Sequence, residues 1–156
     1  MPVKTAFLSA IAVVSLLGAV PATTLADDWP LKGLPDEAQL AWQALRRTDV
    51  FAFGPIGVAG ETSEGELAMR ILMRHPNAIA IFQRLTRSST IDGCLYALSA
   101  LRSLDRAAYA EVQSRLPRDQ EVSLKEGCIG WKESAAEVLS KLESGKYDSV
   151  IPKHTK

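Results

Sequence analysis

From Asp36 to Gly145 the apolar positions recur mostly at intervals of three and four, the signature of helices that bury one face. In DEAQLAWQALRR, Ala38, Ala41, Trp42 and Leu45 form such a stripe. Acids stand at its front and Arg46 and Arg47 at its back, where each charge suits the helix dipole. ELAMRILMRH puts Leu67 and Ile71 on one face with Ala68 and Leu72 beside it, and so short and apolar a helix is expected to be buried on more than one side. Pro76 then opens PNAIAIFQRLTRSS, with Ile79, Phe82 and Leu85 on one stripe and Arg84 and Arg87 near the end. Proline suits a first helical position because its missing N–H would have no partner there. In TIDGCLYALSALRSLD, Leu95, Leu98, Leu101 and Leu104 lie along one side, and Ala97 and Ala100 allow a close helix approach. Asp105 is placed to cap DRAAYAEVQSRL, which carries Ala108, Tyr109, Val112 and Leu116 at helical spacing and stops at Pro117.

The period then changes. In EVSLKEGCIGW the apolar residues alternate, Val122 with Leu124 and Ile129 with Trp131, around a KEG turn at 125–127, which predicts a short hairpin or extended pair. KESAAEVLSKLESG returns to the helical period through Ala135, Val138, Leu139 and Leu142, with Gly145 as its stop. These elements predict one all-α domain of stacked helix pairs over residues 27–145, with a short extended segment before the last helix. The polar residues 146–156 read as a loosely ordered tail. Trp42 and Trp131 are expected in or at the edge of the core, and Trp29 over one end of the stack.

Residues 1–26 read as a secretory signal peptide: Lys4, an apolar run from Ala6 to Val20, and small residues before Asp27. Gly18 and Pro21 cut that run short of the roughly 20 apolar residues of a membrane span. Asp27 rather than a cysteine stands directly after the cleavage point, so neither a lipid nor a membrane anchor is expected and the location is periplasmic or secreted. With Lys4 removed, the chain carries one basic residue fewer than its 18 acidic ones, and nothing steers it toward nucleic acid.

In an oxidising compartment, Cys94 and Cys128 pair most simply as a disulfide. The bond would close a loop of about 35 residues, worth about 3.8 kcal/mol in the chain-entropy account. Two free thiols or a reactive cysteine are the other readings. With only His75 and His154 beside them, no metal ligand set is spaced along the chain, and no cofactor is implied.

FAFGPIGVAGETSEGE, residues 51–66, brings glycines to 54, 57 and 60 just before a helix. A phosphate-binding loop needs GxxxxGK followed by Ser or Thr, and no lysine stands between Lys32 and Lys125. Ser63 with Glu66 three residues on is instead a capping box at a helix start. A loop that binds a small anion through Gly54, Gly57, Gly60, Thr62 and Ser63 is the competing reading. No GxSxG elbow or HExxH pair occurs, and neither the 64/66 nor the 27/28 acid pair sits in an apolar setting that would split two pKa values. The chain is therefore not read as an enzyme, and no catalytic residue is assigned. From Arg70 to Arg118 every basic residue except His75 is arginine. That makes an arginine-lined groove for an acidic or carbohydrate-bearing partner conceivable, although i, i+4 spacings such as Glu66–Arg70 also build ordinary polar helix faces.

FGPIGVAGETSEGELAMRIL, HPNAIAIFQRL and GCLYALSALRSLD together resemble a group of exported bacterial proteins with the pattern FGxxGxAGxTSxGExA, a proline-led helix, LYALxxLR and a later GC pair. The resemblance spans roughly Phe51 to Gly130. It implies HEAT-like helical hairpins, an envelope location and no particular activity, and it puts Cys94 and Cys128 at the matching places. The function expected is a non-enzymatic periplasmic interaction or binding protein, such as an inhibitor or immunity-type protein for an envelope enzyme. The alternative is a small-ligand protein, for an anion or a carbohydrate, or a cryptic enzyme, using the 54–62 loop.

Overall fold

The computed structural model describes residues 33–152, so the leader, Trp29 and His154 lie outside the described residues. The elements are α1 (Asp36–Arg47), β1 (Pro55–Ile56), β2 (Glu61–Thr62), α2 (Glu64–Met73), α3 (Ala78–Ser88), α4 (Ile91–Leu104), α5 (Arg106–Gln113), β3 (Glu121–Glu126), β4 (Ile129–Ser134) and α6 (Ala135–Glu143).

The organising element is α4. The Thr90 hydroxyl accepts from the Gly93 amide at 3.1 Å and caps its start, and every residue from Ile91 to Leu101 is buried. A helix apolar on all sides belongs at a centre. Accordingly α1, α2, α3, α5, α6 and β3 all pack against it. Gly93 makes one of these approaches possible, since a Cβ there would fall well inside 3.0 Å of the Leu45 carbonyl oxygen. The end of α1 therefore lies directly on the start of α4, and Arg46 Nε donates to the carbonyl of Ser88, the last residue of α3, at 3.2 Å.

The expectation of an all-α stack of HEAT-like hairpins is corrected on two counts. First, the protein is mostly helical but mixed, with two antiparallel two-stranded sheets, β1–β2 and β3–β4. Second, a solenoid repeat contacts only its neighbours, whereas here the other helices surround one buried helix. Even α2 and α3, joined by a short turn, pack chiefly on α1 and α4 respectively.

The second hairpin forms where the alternation predicts it, with Val122 and Leu124 facing the core. Its turn is Gly127–Cys128 rather than KEG, because Glu126 pairs with Ile129. Ile129 consequently points away from the core at 69% exposure, and Trp131 is half-buried. Residues 132–134, read as helix, complete β4. Ser134 then caps α6 through a reciprocal capping box with Glu137. The segment read as a loose tail is packed as far as the structure describes it. Ile151 is buried, and the Tyr147 ring meets Phe51 and Phe53 at 5.7 and 5.3 Å between centroids. Among the described residues, no helix is long and apolar enough to cross a membrane.

Candidate functional site

The glycine-rich segment begins as a buried extended run. The Phe51 amide donates to the Ser123 carbonyl at 2.7 Å, which lays the run alongside β3. Phe51 and Phe53 then stack on Tyr96 at 4.9 and 5.3 Å between ring centroids. At Ala52 the backbone has no strand partner, and a buried unpaired amide is costly. Tyr96 supplies the missing strand: its phenolic oxygen accepts from the Ala52 amide at 2.8 Å and donates to the Ala52 carbonyl at 2.7 Å. Burial pushes the phenol up to about 12, so it stays protonated and able to do both.

Ser63 joins this cluster. Its hydroxyl lies 2.8 Å from the Ala52 carbonyl and 3.0 Å from the Tyr96 oxygen, and accepts from the Glu66 amide at 3.1 Å as the cap of α2. Only half of the predicted capping box forms. The Glu66 carboxylate does not turn back to Ser63. One oxygen accepts from the Gly54 amide at 2.8 Å and the other from Arg70 at 2.6 Å, and Arg70 reaches on to the Val150 carbonyl at 2.9 Å. Glu66 is thus a buried carboxylate with both oxygens matched. It ties the glycine segment to α2 and, through Arg70, to the C-terminal segment.

The three loop glycines have positive φ, so the chain can fold back through residues 57–60 between β1 and β2. Each of their amides has an internal acceptor: Glu66 for Gly54, the Gly127 carbonyl for Gly57 at 2.7 Å, and the Gly57 carbonyl for Gly60 at 3.4 Å. An anion-binding nest directs such amides outward together, and these three are not available to one. Thr62 is exposed on β2, and Ser63 is buried. What the loop turns outward is Val58, 98% exposed. Because Gly57 bonds to Gly127, the tips of the two hairpins are joined; Val58 is exposed on the first, and Cys128 in the turn and Ile129 at the start of β4 are exposed on the second.

The predicted Cys94–Cys128 disulfide is not formed. Both are free thiols and they are not near each other. Cys94 is buried early in α4, its sulfur 3.8 Å from the Thr86 carbonyl, whereas Cys128 is exposed in the β3–β4 turn. Burial pushes the Cys94 thiol up to about 12, which removes it as a nucleophile near neutral pH. Among the described residues, no group of three His, Cys, Asp or Glu side chains is arranged to hold a metal ion. His75 accepts from the Asn77 amide at 3.1 Å beyond the end of α2, and no nucleophile is hydrogen-bonded to it among the described residues.

The arginines do not line a single groove. Arg70 serves Glu66, Arg102 pairs with Asp148, and Arg115 pairs with Glu111 at 3.0 Å. Arg87 and Arg115 do meet across a cleft of about 260 Å³ between α3, the start of α4 and the end of α5.

Sequence reasoning passed over Tyr96, Gly65, Gly93 and Asp92, which the structure makes essential to the arrangement. Gly65 lets α2 start against the Tyr96 ring. Asp92, buried on α4, accepts from the Ser123 amide at 3.2 Å and so holds β3. The available signal was a tyrosine, an aspartate and two glycines at helix positions where apolar or helix-favouring residues would otherwise be preferred. Comparison with protein-family models, curated proteins and solved structures finds no match.

Proposed function

We propose that this chain is an exported, non-enzymatic binding protein that docks on another protein of the cell envelope through its two joined hairpin tips, as an inhibitor or immunity-type protein does. The observation that carries the reading is the exposure of Val58 and Ile129, 98% and 69%, on turns coupled by the Gly57–Gly127 hydrogen bond. Burying such a side chain contributes about 1.5–3 kcal/mol. Tips already held in shape lose little conformational freedom on binding. Glu61, Glu126 and Lys132 are exposed on the flanking strands, which suits the polar rim of an interface. The groups that would serve as catalytic machinery beside the loop are engaged internally: Ser63 and Tyr96 hold Ala52, and Glu66 holds Gly54 and Arg70. Export rests on the leader-like pattern at residues 1–26, and the check is the mass of the mature protein, expected to begin at Asp27.

The test compares the mature protein with the double variant Val58→Asp, Ile129→Asp as bait in periplasmic extract. Both side chains point to solvent, so the melting temperature is expected to stay unchanged. A stoichiometric partner held by the parent and released by the variant supports the reading. Retention of that partner by the variant, or no stoichiometric partner for the parent, rules it out.

A further inference from the structure

We infer that the cleft between α3, α4 and α5 is a second, separate site, for a small amphiphile with a carboxylate head and a short hydrocarbon body. Its floor is apolar and uncharged: Ile91, Cys94 and Leu116 are buried there and Val112 half-buried. The sulfur is a protonated thiol directed at the Thr86 carbonyl, so the floor neither reacts nor repels a hydrocarbon.

The rim is cationic. Arg87, near the end of α3, and Arg115, beyond α5, are both exposed at the cleft. Arg115 is matched by Glu111, whereas no carboxylate partners Arg87 among the described residues. One surplus guanidinium over an apolar floor selects a ligand with one anionic head, and a guanidinium fork fits the two oxygens of a carboxylate. Glu111 at the same rim works against a second negative charge on the ligand. Gln83 and Gln120 complete the edge with neutral amides that orient without adding charge. A volume of about 260 Å³ lies just below the roughly 300–1,000 Å³ usual for small-molecule sites, which limits the body to a short chain or one ring.

Two other clefts lack this combination. In the one beside Ser99 and Arg102, the guanidinium of Arg102 is already paired with Asp148. The one beneath Tyr147 holds only about 120 Å³ and mixes Lys125 and Lys146 with Glu126.

The probe is octanoate, titrated calorimetrically into the mature protein, with octylamine and acetate as controls for head charge and body. Saturable binding of octanoate, with neither control binding comparably, is the expected result. Arg87→Gln is expected to weaken octanoate at least about tenfold, as loss of one charge-assisted contact implies. Glu111→Gln is expected to tighten it, because Arg115 is released and the rim loses its anion. Both positions are exposed, so folding is not at stake, and Val58→Asp, Ile129→Asp is expected to leave octanoate binding unchanged. No saturable octanoate binding, equal binding of octylamine, or an Arg87→Gln variant that binds like the parent overturns the proposal.

Discussion

The phenolic oxygen of Tyr96 sits 2.8 Å from the amide nitrogen of Ala52 and 2.7 Å from its carbonyl oxygen, so one side chain of the central helix replaces a strand partner for a residue 44 positions away. Tyr96→Phe keeps the ring and its contacts with Phe51 and Phe53 but leaves the buried Ala52 amide without an acceptor. The Ala52 carbonyl keeps Ser63. The expected loss is therefore that of one orphaned buried donor, about 1–3 kcal/mol in a urea titration. A loss below about 0.5 kcal/mol contradicts the assigned role.

Gly65→Ala distinguishes helix propensity from packing. Propensity alone favours alanine by about 1 kcal/mol. A Cβ at this position, however, falls well inside 3.0 Å of the Tyr96 ring, with no room on the far side of a buried helix. Overpacking of this kind costs about 1–3 kcal/mol, so net destabilisation is expected. Gly57→Ala meets nothing within 4 Å and bears only the strain of its φ of +70°, about 1–2 kcal/mol. Thermal melts of the two variants should show a loss in both, with the Tyr96 ring repacked only in the first, visible in near-ultraviolet circular dichroism.

The thiols should react as their surroundings dictate. Cys128 is exposed and is expected to take up one maleimide per chain in the native state at pH 7.5. Cys94, buried with its thiol pushed up to about 12, is expected to react only after denaturation. An intrachain Cys94–Cys128 bond in the purified mature protein would contradict the packing around α4.

Asp92 has its carboxyl raised above the ordinary 3.8, chiefly by burial, against the lowering effect of the Ser123 amide. The folded state thus holds this proton more tightly than the unfolded chain. The sign follows: the contribution is most favourable below 3.8 and declines as pH rises through the raised folded value. Asp92→Asn keeps an acceptor for Ser123 and is expected to remove that decline, with stability equal or higher than the parent at pH 7 and no difference at pH 3. Glu133 runs the opposite way, lowered first by its hydrogen bond from Lys141, with stability present above 4.5 and lost as pH falls. It is common to both proteins, so the difference between their pH profiles isolates Asp92. A variant less stable than the parent at pH 7 contradicts the assignment.

Local pattern was sufficient for the helices and for several of their buried faces, including Ala135, Val138, Leu139 and Leu142 of α6. Ala38, Ala41, Trp42 and Leu45 of α1 are all buried, as are Leu95, Leu98 and Leu101 of α4, because a period of three and four is a property of neighbouring residues. Where a segment was apolar on several sides, the period could not choose. In α2, Leu67 is 50% exposed and Met69 is buried instead; in α3, Ile79 is 38% exposed and Ile81 takes its place. The choice belonged to the position of α4, which no local spacing encodes.

The site was written in the sequence only as a cluster of residue types. Glycines at 54, 57 and 60, Ser63 and Glu66 stood out, and so did the helix start they announce, but their acceptors lie far along the chain: Gly127 for Gly57, and Tyr96 and Ala52 around Ser63. Strands as short as β1 and β2 have almost no periodicity of their own and exist because their ends are held by such distant partners. The separation of the two cysteines, the packing of Tyr147 and Ile151, and the joining of the two hairpin tips are of the same kind. By itself the sequence determined which segments coil and which residues avoid water. Tertiary structure decided which way each coil faces and which distant groups meet, because those depend on closing the chain around a single buried helix.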